Sequence, residues 1–409
     1  MSSASVARCP VLDPTARAMH AEAAALRAQG PAVLVELPGP IHAWSVTRYS
    51  VIQALTGDPR VSRDPRRHWP GLANVPEGWS LAPIALQQNF VNSHGEEHRR
   101  SRRRIASSFS PRRVELMRPQ VQATADRLVK MLAALPPGAT VDVRQALALP
   151  LTMTVICDLF GVPDQLRERL GAAIDAILDP SVDPERGLAI QTELHDRLSE
   201  LLRWKRERPA ADLTSDLLLP SEPGEEPTPD PVLLDTLLLM IGAGYETAVN
   251  LITSAVQALL THPENLALIR EGAIGWEDVV EETLRVEGPV MYLPLRYAVE
   301  DIDLGEGVVI RKGDPIIIGF ASAGRDPELH PDHPERFDPT RTSKEHLAFG
   351  HGPHFCLGAH LARLEADVAL TTLFRHLPDL AVAHPEEPAR LPSFIVNGPV
   401  GLEIVPHPA

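Results

Sequence analysis

The chain is short of cysteine: Cys9, Cys157 and Cys356 are widely spaced and odd in number, which excludes a disulfide framework. Aromatic residues make up only 4% of it, so the core has to be built from Leu, Ala and Val. Basic residues are outnumbered, 39 against 54 acidic, and the net charge of −15 argues against nucleic acid as the main partner. The N-terminal stretch lacks the basic run, apolar core and small-residue cleavage site of a secretory signal, and no lipid-anchor motif is visible. The most apolar stretch, Val232 to Leu260, carries Asp235, Glu246 and Asn250 inside it, which is costly in lipid and tolerable in a protein core. The expectation is a cytoplasmic protein with neither membrane nor nucleic acid among its partners, and a monomer by default. A flavin domain, a strand–GxGxxG–helix dinucleotide unit and a four-Cys cluster site are also missing, so electrons for any redox chemistry have to come from another protein.

What the chain does have is length, 409 residues, and 40 prolines, about twice the usual share of roughly 5%. With no fixed-period repeat and no Gly/Ser linker, one domain spanning residues 1–409 is expected. Apolar residues recur at helical spacing from Val114 to Leu135 until Pro136 and Pro137 stop them. Short strand patterns, PAVLVELP and VVIRKGDPIIIGF, predict a minor sheet, so the class is mainly α with a small β part. The acidic, Pro-rich stretch from Ser221 to Asp230 reads as an exposed loop ending in a helix start, with Asp230 as cap and Pro231 in the first turn. The helix that follows runs to Pro263, about 48 Å at about 1.5 Å per residue, and is apolar on nearly every face, which implies burial.

Three segments can carry chemistry. Inside the long helix lies GAGYET, where Gly242 and Gly244 each cost about 1 kcal/mol relative to Ala. That loss is recovered either by letting a bulky ligand approach the backbone or by close helix packing. The Thr247 hydroxyl can bond the carbonyl one turn back, and Glu246 adds an acid beside it. The second segment, FGHGPHFCLGAHLARLE, places Cys356 just ahead of a helical pattern that runs to about Leu377. Free amides and the helix dipole favour a thiolate there, as for a metal-bound sulfur. Two other readings stand beside it: a small buried thiol, and a zinc site from His351, His354, Cys356 and His360, whose spacing matches no usual zinc pattern. In the third segment, VVEETLRVEGP, Glu282 and Arg285 sit three apart on one helical face, a pairing that is usually solvated.

In this order, the three segments resemble the cytochrome P-450 superfamily of haem-thiolate monooxygenases, over most of the chain from about Ala16 to His407. The cysteine-loop pattern F-G-x-G-x-H-x-C-x-G is matched by Phe349, Gly350, Gly352, His354, Cys356 and Gly358. The oxygen-binding motif A-G-x-E-T is matched by Ala243, Gly244, Glu246 and Thr247, with Tyr245 departing from the His or Asp many bacterial relatives carry. The E-x-x-R motif is matched by Glu282 and Arg285, and PERFDPTR resembles the family's meander, which would bring Arg336 into a triad with them.

The resemblance implies a triangular α-rich prism with the long helix over a haem b, and Cys356 as the iron ligand. It implies Thr247 and Glu246 as the alcohol and acid of proton delivery. Phe349, Gly350, Gly358, Ala243 and Gly244 would border the haem, and His98, Arg102, Arg296 and His354 would meet its propionates. The implied reaction inserts one atom of O2 into an apolar small molecule, such as a steroid, polyketide or other secondary metabolite. Electrons would come from a ferredoxin and its reductase, and the cluster Arg99, Arg100, Arg102, Arg103, Arg104, Arg112 and Arg113 suits an acidic donor. Substrate contacts are expected from Leu81, Ile84, Phe90 and Val91 before His98, and from Leu238, Ile241 and Ala243 on the long helix. Met291, Leu293 and Leu295 after Arg285, with Phe394 and Ile395 near the C-terminus, complete that set. A haem protein that only binds or senses ligands, and a family member that couples aryl groups, are the alternatives.

Overall fold

The computed structural model describes residues 9–178, 184–220, 227–386 and 388–408. Most of the loop expected from Ser221 lies outside the described residues. A five-stranded sheet occupies one side. Strands β1 (Val33–Leu37) and β2 (Ile41–Val46) form an antiparallel hairpin, with Val33 opposite Ser45 and Leu37 opposite Ile41. β3 (Val61–Ser62), β4 (Tyr292–Ala298) and β5 (Pro315–Gly319) complete it in the order β1-β2-β5-β4-β3. β5 runs parallel to β2 and antiparallel to β4. The expected strands thus form, and VVIRKGDPIIIGF splits at its Lys-Gly-Asp turn into Val309–Ile310 and β5.

The β4–β5 register shifts between Leu293 and Arg296. In a regular strand, residues three apart face opposite sides; an irregularity of this kind re-aims side chains. Leu293 and Arg296 accordingly both reach the same cavity.

Two smaller sheets, one of three short strands and one of two, stand apart from the five-stranded sheet, and the remaining regular structure is helical. α1 (Gly95–Ala106) and α2 (Pro111–Ala133) follow each other closely, and α2 buries Val114, Val121, Ala125, Leu128 and Leu132 at the spacing the sequence predicts. One π turn, Arg144–Ala148, leads into α3 (Leu149–Leu159). The long helix α4 (Asp230–Thr261) is unbroken over 32 residues. Its length and composition would also suit a membrane span, yet it runs through the main core, packed by α3, α5 (Trp276–Val286) and α6 (Ala359–His376). Its start differs from expectation. Pro229 holds the cap position without a side-chain bond, and Asp230, already helical, pairs with Arg206 at 3.0 Å. Proline at the cap has no side-chain acceptor for the first amides, and the Asp230 carboxylate is taken up by the Arg206 guanidinium.

The Glu282–Arg285 pair is wholly buried, at 0% exposure for both side chains, contrary to the solvated surface pair its spacing usually signifies. Arg285 donates to Glu282 at 2.7 Å and to the carbonyls of Gly324, Pro334 and Arg336. Arg336 therefore joins through its backbone, and its side chain is exposed. The guanidinium that approaches Glu282 instead is Arg341, 3.4 Å away. Arg341 lies five positions further along the meander, where the carbonyls of Asp332 and His333 hold its guanidinium, and the Asp338 amide donates to Glu282 beside it.

Candidate active site

A cavity of about 290 Å³ opens between α4, α3, β4 and the loop from Phe349 to Gly358. The loop is shaped by Gly350 and Gly352, both at φ near +71°, and a Cβ on Gly352 would sit 2.4 Å from the Thr56 carbonyl. That turn carries Phe349, Gly350 and His354 to the cavity, and delivers Cys356 two residues before Gly358, the cap of α6. Cys356 is exposed and lines the cavity, and its amide is fixed to the Phe349 carbonyl at 2.8 Å. The dipole argument foresees a lowered thiol pKa. Here burial raises it and prevails over the Gly358 amide, Arg102 and Arg363, all of which favour the thiolate. A cation bound to the sulfur reverses that balance.

The opposite wall is α4. Ala243, Gly244 and Thr247 face the cavity, and the Thr247 hydroxyl donates to the Ala243 carbonyl at 2.6 Å, the back-bond its position predicts. A Cβ on Gly244 would come within 2.7 Å of Ile156, so this glycine serves close packing on α3 as well as the cavity, while Gly242 meets nothing. Glu246 does not reach the cavity. It is buried and gripped by Arg144 at 2.6 Å, while the other arm of Arg144 donates to Asn250, also at 2.6 Å. Arg144 comes from the π turn and was not foreseen. Tyr245 is buried in the helical core.

The third wall is cationic. Arg102 reaches across from α1 to the Phe355 carbonyl, tying that helix to the cysteine loop. Arg296 is buried on β4, and His98 stacks on His354 with 3.9 Å between ring centres. Arg63, just beyond β3, is a fifth member that sequence reasoning missed; its Nη2 donates to the Pro294 carbonyl at 3.2 Å. Burial, chiefly, drives Arg63 down to about 10 and Arg296 to about 9, with Arg63 itself adding to the second. Burial followed by the neighbouring arginines pushes His98 down to about 4 and His354 well below its ordinary value. Four buried atoms on this wall, Arg63 Nε, His98 Nε2, Arg296 Nε and His354 Nδ1, have no hydrogen-bond partner. Buried donors and cations left in that condition call for an anionic ligand. The paired carboxylates of a haem, with Cys356 offering sulfur to its iron, fit this donor set.

The apolar lining agrees with the sequence expectation only in part. Ile84, Phe90, Val91, Ala243 and Leu293 line the cavity. On α4, Leu239 and Met240 face in, whereas Leu238 and Ile241 pack into the helical core. Leu81, Met291, Leu295 and Phe394 belong to a second core against the sheet, with Ile395 packed on its edge. Regular alternation would set Leu295 on the side of Leu293; the register shift between Leu293 and Arg296 separates them, and Leu295 packs into the second core. The zinc alternative fails geometrically: among the described residues, no group of three or more His, Cys, Asp or Glu side chains converges. Within the arginine cluster, Arg99 pairs with Glu96 at 2.8 Å and Arg113 with Asp216 at 3.2 Å, so part of its charge is answered internally.

A sulfur facing a glycine-thinned helix across an apolar cavity with a cationic wall defines a haem-thiolate type of site. The profile of the cytochrome P450 family matches residues 276–399. A 2-hydroxy-5-methyl-1-naphthoate 7-hydroxylase of Streptomyces carzinostaticus is 39% identical over 97% of this chain and 97% of its own. The cytochrome P450 monooxygenase PikC of Streptomyces venezuelae is 40% identical over 93% of this chain and 89% of its own. Among solved structures, CYP154A1 from Streptomyces coelicolor A3(2) superposes with a TM-score of 0.91 at 46% identity, covering 98% of this chain and 100% of that one. The chain belongs to the cytochrome P450 family and is a haem-iron monooxygenase.

Proposed function

We propose that this chain hydroxylates a neutral, apolar secondary metabolite, with haem b held by Cys356 and the cationic wall. The observation that carries the cofactor assignment is that wall: Arg63, Arg296, His98 and His354 carry buried nitrogens without partners, half-buried Arg102 stands beside them, and Glu365 is the only carboxylate among the described lining residues. Arg63, Arg102 and Arg296 would bind the cofactor's carboxylates with His354, and His98 supports His354 by stacking. When bound, thiolate-ligated haem supplies the activation of dioxygen and its O–O cleavage.

The protein's own residues do the rest. Ile84, Phe90, Val91, Leu239, Met240 and Leu293 exclude water and hold an apolar substrate without an ionic anchor. Of the naphthoate in that relative's name, the fused-ring skeleton and not the carboxylate suits such a lining. Thr247 positions a proton donor on the cavity side of α4. Glu246 belongs to the proton route only when its carboxylate leaves Arg144, so the pair gates that route. Ferredoxin and its reductase supply electrons at the α1 face, where Arg102 links the surface to the cysteine loop. The working unit is a single-domain, cytoplasmic monomer.

The test is spectroscopic. Purified protein supplied with haem is expected to show the thiolate-ligated carbonyl-adduct absorption, and apolar fused-ring compounds to convert the iron from low to high spin. In Cys356→Ser the adduct band is expected to vanish. Retention of an identical band would overturn the assignment of Cys356.

A further inference from the structure

One group in the cavity has no part in the chemistry so far. Glu365 lies on α6 nearly two turns beyond Gly358, on the face that brings Leu361 and Ala362 to the cavity. It is 1% exposed, and its Oε2 has no hydrogen-bond partner. Facing it from α3 is the Thr152 hydroxyl, equally buried and equally without a bond of ordinary geometry.

Charges on the surrounding elements are committed elsewhere. On α6 itself, Arg363 pairs with Glu281 of α5 and Asp367 with Arg118 of α2. On α3, Asp158 is held by Arg167; on α4, Glu246 by Arg144; on α5, Glu282 by Arg285. Elsewhere around the cavity stand Cys356 and the wall of Arg63, Arg102, Arg296, His98 and His354, and none of them sets the protonation of Glu365. Burial pushes its carboxyl up to about 8, and Thr152 pulls weakly the other way. By contrast, burial of Glu281 is overridden by Arg363 and His346, which hold its carboxyl down at about 2. A carboxyl locked by an arginine cannot respond to small changes in local charge; one without a counter-charge can.

We propose that Glu365 is a redox-linked proton acceptor in alkaline solution, where its carboxyl is ionised before reduction: as one electron from the external donor reaches the cofactor held by Cys356, the Glu365 carboxylate binds one proton from solvent and offsets the added negative charge. The balance is one electron and one proton taken up, one O–H bond formed on Glu365, and no other bond changed. The step rests on the reading that haem occupies this cavity on Cys356. At an effective dielectric constant of about 20, a unit charge added about 10 Å away changes proton affinity roughly tenfold or more, enough to make the coupling visible. Glu365 is thereby a positioning residue for charge, acting on the cofactor's potential and not on substrate.

The experiment measures the reduction potential of the haem-loaded protein from about pH 6 to about pH 10, a window above ordinary carboxylate titration. The wild type is expected to be flat on the acid side. From about pH 8 upward its potential should fall by about 59 mV per pH unit, a tenfold change in the reduction equilibrium for each tenfold loss of protons. Glu365→Gln, which keeps the shape and removes the titration, is expected to be flat throughout, and Glu365→Asp to keep a slope. Redox-difference infrared spectra of the wild type in the sloping range should gain a carboxylic-acid carbonyl band on reduction. A normal thiolate-type spectrum with a flat wild-type profile, or a slope that survives in Glu365→Gln, would overturn the proposal. Should that variant fail to take up haem, the wild-type potential and infrared band decide alone. Absence of the thiolate-type spectrum in wild type removes the reading of the site and this step together, whereas a flat profile with that spectrum removes only the step.

Discussion

Two buried clusters of arginine lie within this fold, and they are finished to different degrees. Around Arg285 every nitrogen has an acceptor: both oxygens of Glu282 and three backbone carbonyls. Around Arg63 and Arg296 the Nε atoms have none, two histidines are pressed against them, and no acid approaches. The first cluster is self-sufficient and holds the meander to α5. The second is stable only at a cost to the protein alone, and that cost is what a dianionic ligand would relieve. Completeness of hydrogen bonding separates a structural charge from one kept for binding, where burial alone does not.

The sharpest way to break this contrast is to remove one partner from each cluster. Glu282→Gln strands the Arg285 charge and is expected to lower unfolding free energy by about 3–5 kcal/mol, with or without haem, read by urea unfolding. Arg296→Met should do the reverse in haem-free protein, leaving stability unchanged or raised. In the loaded protein it should speed haem loss about tenfold or more, since a charge-assisted hydrogen bond is worth about 1.5–3 kcal/mol. Transfer of haem to an acceptor protein measures that rate, and an Arg296→Met protein that holds haem as well as wild type would erase the distinction between the clusters. The smallest effect is in pH. His98 titrates near 4 when folded against an ordinary 6.5, so between those values the unfolded chain binds more protons than the native one. Stability of haem-free protein should therefore decline as pH falls from about 6.5 toward about 4. His98→Asn should lessen that decline, the remainder coming from His354, whose pKa is lowered as well, and bound haem should diminish it by supplying carboxylates to the wall.

How much of this was legible beforehand follows sequence distance. The Thr247 back-bond, the Glu282–Arg285 pair and the placement of Cys356 ahead of α6 each depend on residues within one or two helical turns, where geometry is fixed by spacing. Arg63 was invisible because its place depends on β3 lying beside β4, which joins residues more than 200 positions apart. Arg144 is one residue in a π turn, and its partner Glu246 lies 102 positions on. Within α4 the apolar residues cover nearly every face, so periodicity could not decide between Leu238 and Leu239 for the cavity. Arg336 and Arg341 were equivalent in a segment with no regular structure, and the Asp332 and His333 carbonyls that hold Arg341 beside Glu282 could not be read from it.

The register shift in β4 binds two otherwise separate duties into four consecutive residues. Leu293 and Arg296 share an orientation only because the strand is irregular between them. Losing or gaining one residue there would swing either the greasy contact or the anion anchor to the far side of the sheet. Diversification of what this scaffold accepts is consequently channelled at this strand into swapping the side chain at position 293, with chain length held constant.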